Sequence, residues 1–259
     1  MFGVLGFVLF PCLDVLRRSF VTAASGEFAG LDNYREVLSN TAFLLAAANT
    51  ARFAAICLPV LIGLGLVIAL LLFQMPGAQL LKSIFLFPMA MPAMTVVLVW
   101  RMVFSEEGFI NRLTGNETDF MNSGFSFWIL VLTYLWKNLG YTVVLWLSGI
   151  SQIPSETLEA AAVDGAGWAK RFRFVMLPQL KGTLYTITVL SFLNSFKVFR
   201  EAYLVAGAYP HESMYLLQHL FNNWFVKLEL DKMAAAAVCV AVCMFAVILV
   251  LWRLWEEKE

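Results

Sequence analysis

The sequence predicts an all-α, polytopic integral membrane protein with about six transmembrane helices. Hydrophobic residues make up 61% of the 259 residues and charged residues only 14%. Soluble domains carry roughly 45–50% apolar and about 25% charged residues. A soluble fold could neither bury this much apolar side chain nor cover its surface with so little charge. The composition therefore excludes a soluble protein and assigns residues 1–259 to a single transmembrane domain.

Long apolar runs divide the chain into spans. A bilayer core of ~30 Å takes about 20 helical residues, because every backbone polar group in lipid must be bonded within the helix. Five such runs are clear. A shorter N-terminal run is a sixth, and Arg17 and Arg18 follow it, whereas a secretory signal peptide carries its positive charge before the apolar run. The predicted spans are 2–21, 50–75, 80–104, 127–150, 182–204 and 233–254.

Charge and cysteine usage exclude several classes of function. Lysine plus arginine (18) balance aspartate plus glutamate (18), so no basic excess indicates a nucleic-acid partner. Cys239 and Cys243 share a helix face but fit packing better than ligation. His211 and His219 are too far apart for a helical metal site. No phosphate-binding loop or catalytic motif occurs, so we expect no metal, no cofactor and no catalytic residue on this chain.

The loop charges do not determine the orientation in the membrane. Seven lysines and arginines are expected on the side of loop 151–181 and six on the other side, so the positive-inside rule favours neither. The seven are Lys82, Lys170, Arg171, Arg173, Lys181, Arg253 and Lys258, and the six are Arg17, Arg18, Arg35, Arg112, Lys227 and Lys232.

Loop 151–181 differs from the other loops because it is both charged and rich in helix signals. Ser155 is suited to cap a helix, alanines follow it, and Gly165 and Gly167 predict a turn. A second, amphipathic stretch interleaves aromatic residues with Lys and Arg, and Pro178 marks where this helix cannot continue without a kink. The pattern predicts a helix–turn–helix hairpin outside the membrane. It fits either an interfacial hairpin on lipid headgroups or a docking element for a cytoplasmic partner.

This hairpin resembles the EAA loop of binding-protein-dependent ABC importer permeases, and it precedes the second-last span as in that family. The matching residues are Glu159, Ala160, Ala161, Asp164, Gly165, Ala166, Phe172, Leu177 and Pro178. Residues 30–34, GLDNY, resemble the family's G-L-x-N-Y element. Residues 85–88 and 195–199 resemble parts of its third and fifth spans. The whole pattern is similar to the carbohydrate-uptake permeases of the maltose and glycerol-phosphate type.

The resemblance implies a type I ABC importer permease fold in which the hairpin couples the spans to a cytoplasmic ATPase subunit. Glu159 would make a charge-assisted contact with the ATPase, Gly165 would form the turn, and Phe172 and Leu177 would pack. The implied partners are a second permease subunit, two ATPase subunits that hold ATP and Mg²⁺, and an extracytoplasmic solute-binding protein. The implied location is the inner membrane of a bacterium or archaeon, with the EAA loop and both termini in the cytoplasm.

The solute implied by the resemblance is a sugar, an oligosaccharide or a glycerol-phosphate-like molecule. Importers of polyamine or phosphate share the EAA loop, so these solute classes are alternatives. A stand-alone secondary transporter is the alternative from a different class of protein.

Polar residues in the fourth and fifth predicted spans are candidates for the solute pathway, because the resemblance places the pathway there. They are Tyr134, Asn138 and Tyr141 in the fourth span and Ser191, Asn194 and Ser195 in the fifth. Such residues also form hydrogen bonds between membrane helices. Lys137 and Lys197 could snorkel to the interface or attract a phosphorylated solute, and Lys197 could pair with Glu201 four residues on.

Overall fold

The computed structural model describes residues 3, 5–23, 25–75, 79–115 and 117–256, without the side chains of 5, 79–82 and 256. These residues are mostly helical and contain no β-strand beyond an isolated bridge between Val21 and Phe28. The predicted beginning of the first span and the predicted position of Lys258 lie outside the described residues.

The helices follow one another with short connections. The α-helices are Phe10–Arg18, Asp32–Ser39, Thr41–Phe73, Gln79–Ala90, Ala93–Phe104, Phe109–Thr114, Ser126–Ser151, Ser155–Val163, Trp168–Arg171, Leu177–Gln179, Lys181–Ser195, Phe199–Ala206, Leu217–Val226 and Leu230–Glu256. Leu5–Leu9 and Phe172–Met176 are π-helical, and Phe120–Asn122, Phe196–Val198 and Glu212–Met214 are 3₁₀ turns.

Three of the described helices are long and apolar enough to cross a membrane unbroken. They are the long helix (Thr41–Phe73), the central helix (Ser126–Ser151) and the last helix (Leu230–Glu256). The central and last helices match the predicted spans 127–150 and 233–254 closely. The long helix begins before the predicted residue 50, because the Asn40 side chain accepts a hydrogen bond from the Phe43 amide at 3.1 Å and caps it there.

Two of the other predicted spans, 80–104 and 182–204, are interrupted. Span 80–104 is a helix pair bent by 97°, broken before Pro92, which supplies no backbone N–H to continue the helix. Span 182–204 is a broken helix, whose two parts, Lys181–Ser195 and Phe199–Ala206, are joined by a 3₁₀ turn. The count of six spans therefore stays a prediction. The hydropathy of the sequence gave no sign of these interruptions.

Close contacts to the central helix hold the other helices in place. A Cβ atom on Gly140 would collide with the backbone carbonyl of Phe85, so only glycine permits this approach of the bent pair. On the long helix, a Cβ atom on Gly65 would lie 2.7 Å from Thr142 Cγ2. The Trp146 indole donates a hydrogen bond to the carbonyl of Ile62 at 3.1 Å. The central helix is thus the element against which its neighbours are packed.

The last helix runs from one end of the molecule to the other. Its Trp255 indole donates to the carbonyl of Lys181 at 2.9 Å, so the last helix ends beside the last residue of loop 151–181. At its other end the Asp231 carboxylate accepts a hydrogen bond from the Ala23 amide at 3.0 Å, and Lys232 pairs with Glu36 at 2.8 Å. Loop 151–181 therefore lies at one end, the hairpin side, and residues 19–36 lie at the opposite end, the far side.

We expect Gly140→Ala to lower the thermal unfolding midpoint of the purified protein. The added methyl group meets the Phe85 carbonyl, and overpacking of this kind costs about 1–3 kcal/mol. Gly63→Ala is the control, since a methyl group added at this position of the long helix would meet no neighbouring element within 4 Å. An equal loss for both variants would show that the close approach to the central helix is unimportant.

Candidate functional site

A polar cavity of about 220 Å³ lies between the central helix and the broken helix. Its lining residues are Met89, Thr133, Tyr134, Lys137, Asn138, Asn194, Lys197, Val198 and Glu201. Amide, hydroxyl, ammonium and carboxylate groups thus converge within spans that are otherwise apolar. Polar groups within membrane-spanning helices normally face a cavity or a partner helix. The polar groups here face both.

A buried ion pair closes one side of the cavity. Lys137 Nζ on the central helix lies 2.5 Å from Glu201 Oε1 on the second part of the broken helix. The two side chains are only 18% and 10% exposed, so each removes the cost of burying the other's charge. Lys197 has a neutral partner, Asn194 Oδ1, at 3.0 Å. The cavity therefore has one positive charge that no carboxylate of the described residues pairs with.

Of the options left open for Lys197, pairing with Glu201 is not realised, because Glu201 pairs with Lys137. That option assumed a continuous helix, in which residues four apart share a face. The 3₁₀ turn at Phe196–Val198 has three residues per turn, so residues on either side of it lose that alignment. Glu201 consequently faces the central helix and pairs with Lys137.

The six predicted pathway residues divide into three groups. Three of them line the cavity: Tyr134, Asn138 and Asn194. Ser191 and Ser195 are buried beside it; the Ser191 carbonyl accepts a hydrogen bond from the Tyr134 hydroxyl at 2.7 Å, and the Ser195 hydroxyl donates to Phe192 in its own helix. Tyr141 lies further along the central helix towards the hairpin side and is not a lining residue.

Sequence reasoning missed four lining residues: Met89, Thr133, Val198 and Glu201. A signal existed for Glu201, because a lone carboxylate in a predicted span normally has a cationic partner in another span. No signal pointed to Thr133, whose hydroxyl donates within its own helix to Ile129. Met89 reaches the cavity because the helix pair bends close to it.

Residues 155–179 form the predicted helix–turn–helix hairpin, here called the hairpin. Its first helix ends in a Schellman turn: the Ala166 amide donates to the Ala161 carbonyl, and the Gly165 amide donates to the Ala162 carbonyl, each at 3.0 Å. Gly165 has φ +76°, which a residue with a Cβ atom adopts only with strain. The turn therefore needs glycine at this position.

Two details of the hairpin differ from the sequence prediction. The helix begins at Ser155 itself, and the residue in the cap position is Pro154, so Ser155 makes no side-chain cap. Gly167 has an ordinary φ of −62°, so the turn depends on Gly165 alone. The second arm does not pass Pro178 as a regular α-helix, because a π-helical turn precedes it in which the Leu177 amide donates to the Phe172 carbonyl.

The hairpin is joined firmly to the hairpin side of the central helix. Ile153, between the two elements, is buried, and Leu158 and Phe172 pack against a core that includes Trp146 and Ile150. The opposite face is open to a partner, since Glu159, Ala160, Asp164, Leu177 and Pro178 are exposed. Trp168 and Phe172 stack with ring centroids 5.6 Å apart. The hairpin thus combines a fixed base with an exposed face.

On the far side, the GLDNY residues hold the connection after the first helix. The Asn33 amide donates to the carbonyls of Ser19 and Val21 at 3.1 and 3.2 Å, and the hydroxyls of Tyr34 and Ser19 lie 2.6 Å apart. Asn33 and Ser19 are buried. The motif therefore has a structural role in this chain.

His219 lies in the helix Leu217–Val226 and is fully buried. Its Nδ1 accepts a hydrogen bond from the Leu216 amide at 3.1 Å, and burial lowers the pKa of His219 to about 4, so the ring is neutral near pH 7. The described residues contain no cluster of three or more His, Cys, Asp or Glu side chains that could hold a metal ion.

A family of membrane transport components matches most of the chain. The family described as "Binding-protein-dependent transport system inner membrane component" covers residues 42–255. The chain belongs to this family. It is accordingly the transmembrane component of an ABC importer, and ATP hydrolysis is carried out by a separate subunit.

Three curated relatives resemble this permease along most of their length. The sn-glycerol-3-phosphate permease UgpA of Yersinia pestis bv. Antiqua (strain Antiqua) is 26% identical and covers 97% of this chain and 90% of its own. The arabinooligosaccharide permease AraP of Bacillus subtilis is 28% identical, with 96% and 83% covered. The trehalose/maltose permease MalF of Thermococcus litoralis is 28% identical, with 86% and 79% covered.

Two solved structures share the fold of the permease. The crystal structure of a bacterial ABC transporter that imports the acidic polysaccharide alginate has a TM-score of 0.87 at 17% identity, covering 99% of this chain and 92% of its own. An alginate transporter in complex with a pentasaccharide-bound periplasmic protein has a TM-score of 0.83 at 18% identity, with 96% and 88% covered. These likenesses establish the fold of the permease.

We expect Glu201→Gln to destabilise the permease by about 3–5 kcal/mol, because it leaves the Lys137 ammonium buried without its counter-charge. The double variant Lys137→Met with Glu201→Gln should lose less than the sum of the two single changes. Thermal unfolding of the purified complex measures both. Lys197→Met is the control, since that exposed ammonium contacts only a neutral amide. Strict additivity would refute the coupling between the two side chains.

Proposed function

We propose that this permease imports a sugar, an oligosaccharide or a glycerol-phosphate-like solute through the polar cavity between the central and broken helices. The observation that carries the proposal is the convergence of Tyr134, Asn138 and Asn194 on one cavity in a chain of this family. Ser191 and Ser195 support it by positioning the broken helix, and Tyr141 continues the pathway towards the hairpin side.

The hydrogen-bonding groups of the cavity suit a hydroxyl-rich solute. Asn138 uses its amide nitrogen on the Tyr134 carbonyl at 2.8 Å, and Asn194 uses its amide oxygen on Lys197 at 3.0 Å. Each asparagine therefore retains its other amide atom, one acceptor and one donor, for a solute. A sugar hydroxyl can engage both, because it donates and accepts.

The charge of the cavity discriminates between the alternative solutes. Glu201 neutralises Lys137, whereas Lys197 keeps its positive charge. This balance accepts a neutral sugar or a phosphate ester and repels a polyamine. The relatives that act on glycerol phosphate, arabinooligosaccharides and trehalose or maltose agree with this solute class.

The hairpin is the proposed coupling element. In this proposal Glu159 contacts a basic residue of the ATPase, and Gly165 keeps the turn tight. Phe172 packs the hairpin against the core. The remaining motif residues shape the docking face: Ala160, Ala161, Asp164, Ala166, Leu177 and Pro178. A rigid hairpin fixed to the central helix would transmit ATPase closure to the cavity, because the central helix both lines the cavity and holds the hairpin.

The proposed assembly consists of this permease, a second permease subunit, two ATPase subunits with ATP and Mg²⁺, and an extracytoplasmic binding protein. The alginate transporter in complex with its periplasmic protein supports the last of these partners. The hairpin side, including the end of the last helix, would face the cytoplasm of a bacterium or archaeon. The far side would receive the binding protein.

Solute-stimulated ATP hydrolysis by the reconstituted complex tests the solute class. We expect stimulation by the cognate sugar or glycerol phosphate with its binding protein, and none by a polyamine. Asn138→Ala and Asn194→Ala should each reduce the stimulation about tenfold, the effect of losing one or two hydrogen bonds. Asn122→Ala, in an exposed turn, is the control. Full stimulation of both cavity variants would place the pathway elsewhere.

A separate experiment tests the coupling role of the hairpin. Gly165→Ala, strained at φ +76° by roughly 1–2 kcal/mol, and Glu159→Lys, with reversed charge, should leave the permease in the membrane but abolish the stimulation. Gly167→Ala should retain it, because φ −62° suits alanine. Uptake and ATPase assays on the same vesicles give the measurement. Normal transport by Gly165→Ala and Glu159→Lys would contradict the role.

A further inference from the structure

A second cavity, of about 290 Å³, lies between the end of the long helix and the hairpin. Leu70 and Phe73 of the long helix and Leu158 and Trp168 of the hairpin give it an apolar wall, and Gln74 and Arg171 give it a polar one. It shares no lining residue with the polar cavity between the central and broken helices. Its amphipathic lining is that of a site for a molecule with both an apolar and a polar part.

The cavity lies at the depth where lipid headgroups are found. The long helix is the most apolar of the described spans together with the last helix, and it ends at Phe73, so Gln74 marks the boundary of the hydrocarbon. Tryptophan side chains such as Trp168 prefer this interfacial level. Leu158 of the hairpin packs against the core and lines the cavity, whereas its neighbour Glu159 is exposed.

The polar wall contains an unsatisfied donor. Arg171 Nε is buried and has no hydrogen-bond partner among the described residues. A buried guanidinium N–H without an acceptor is costly, and a phosphate oxygen is a strong acceptor for it. The charge distribution favours an anion here, because Lys170, Arg171 and Arg173 all lie on the second arm of the hairpin, and the acidic residues of the hairpin lie before Gly165.

We propose that this cavity is a binding site for an anionic phospholipid, with the phosphate at Arg171 and an acyl chain along Leu70 and Phe73. A lipid fits better than a loop of the ATPase because the cavity opens between the hairpin and the end of a membrane span. The site would fasten the hairpin to the bilayer surface. This inference requires only the membrane location of the chain. It does not depend on the proposed solute or on the proposed coupling role of the hairpin.

Lipid titration of the purified importer complex, followed by native mass spectrometry, tests the proposal. Dioleoyl phosphatidylglycerol should bind its first site at least tenfold more tightly than dioleoyl phosphatidylcholine. Arg171→Gln should reduce that preference to less than twofold, and Arg171→Lys, which keeps the charge without the Nε–H group, should reduce it at least threefold. Arg173→Gln removes the same charge from an exposed position beside Phe174 and should leave the preference unchanged.

Each contrary result overturns the proposal in a recognisable way. Equal losses for Arg171→Gln and Arg173→Gln would indicate only diffuse attraction of acidic lipid to basic residues. Displacement of phosphatidylglycerol by millimolar inorganic phosphate would assign the site to free phosphate. Release of the ATPase subunit by Arg171→Gln, with lipid preference unchanged, would assign the cavity to a protein contact. Solute-stimulated ATP hydrolysis is measured in parallel on the same complex. If the wild-type complex shows no stimulation, that result counts against the solute proposal alone.

Discussion

The close packing around the central helix is the constraint on which the rest of the structure depends. In a membrane the helices gain little from burying apolar surface, so their positions are set by small residues that permit close approach and by hydrogen bonds between helices. Gly140, Gly65 and Trp146 provide such contacts to the bent pair and the long helix. The central helix lines the polar cavity along part of its length, and its end leads directly into the hairpin.

The interrupted spans follow from the same constraint. A helix can break inside a membrane only where the protein itself satisfies the exposed polar groups. The broken helix does so next to the Tyr134 hydroxyl, which bonds to the Ser191 carbonyl, and next to the pair of Lys137 with Glu201. The polar residues of the cavity therefore have a structural use, and under our proposal they also face the solute in the space that the break leaves open.

Much of the architecture was predictable from the sequence, because long apolar runs and a Gly165 turn are local signals. The all-α class, the central and last helices and the hairpin were obtained in this way, and the resemblance to the family was confirmed. The bend before Pro92 and the 3₁₀ turn at Phe196–Val198 were not, since both produce helix geometry that hydropathy does not record. For the same reason the sequence left the partner of Glu201 undecided, and the cavity residues Thr133 and Met89 carried no sequence signal.

Site-specific photocrosslinking in the assembled complex tests the central claim, that the hairpin is the contact through which the ATPase acts on the central helix. A photoreactive amino acid at Val163, 88% exposed at the hairpin tip, should crosslink to the ATPase subunit. The same group at Leu228, 71% exposed on the far side, should not. Capture of the ATPase from Leu228, or of the solute-binding protein from Val163, would contradict both the orientation and the coupling role.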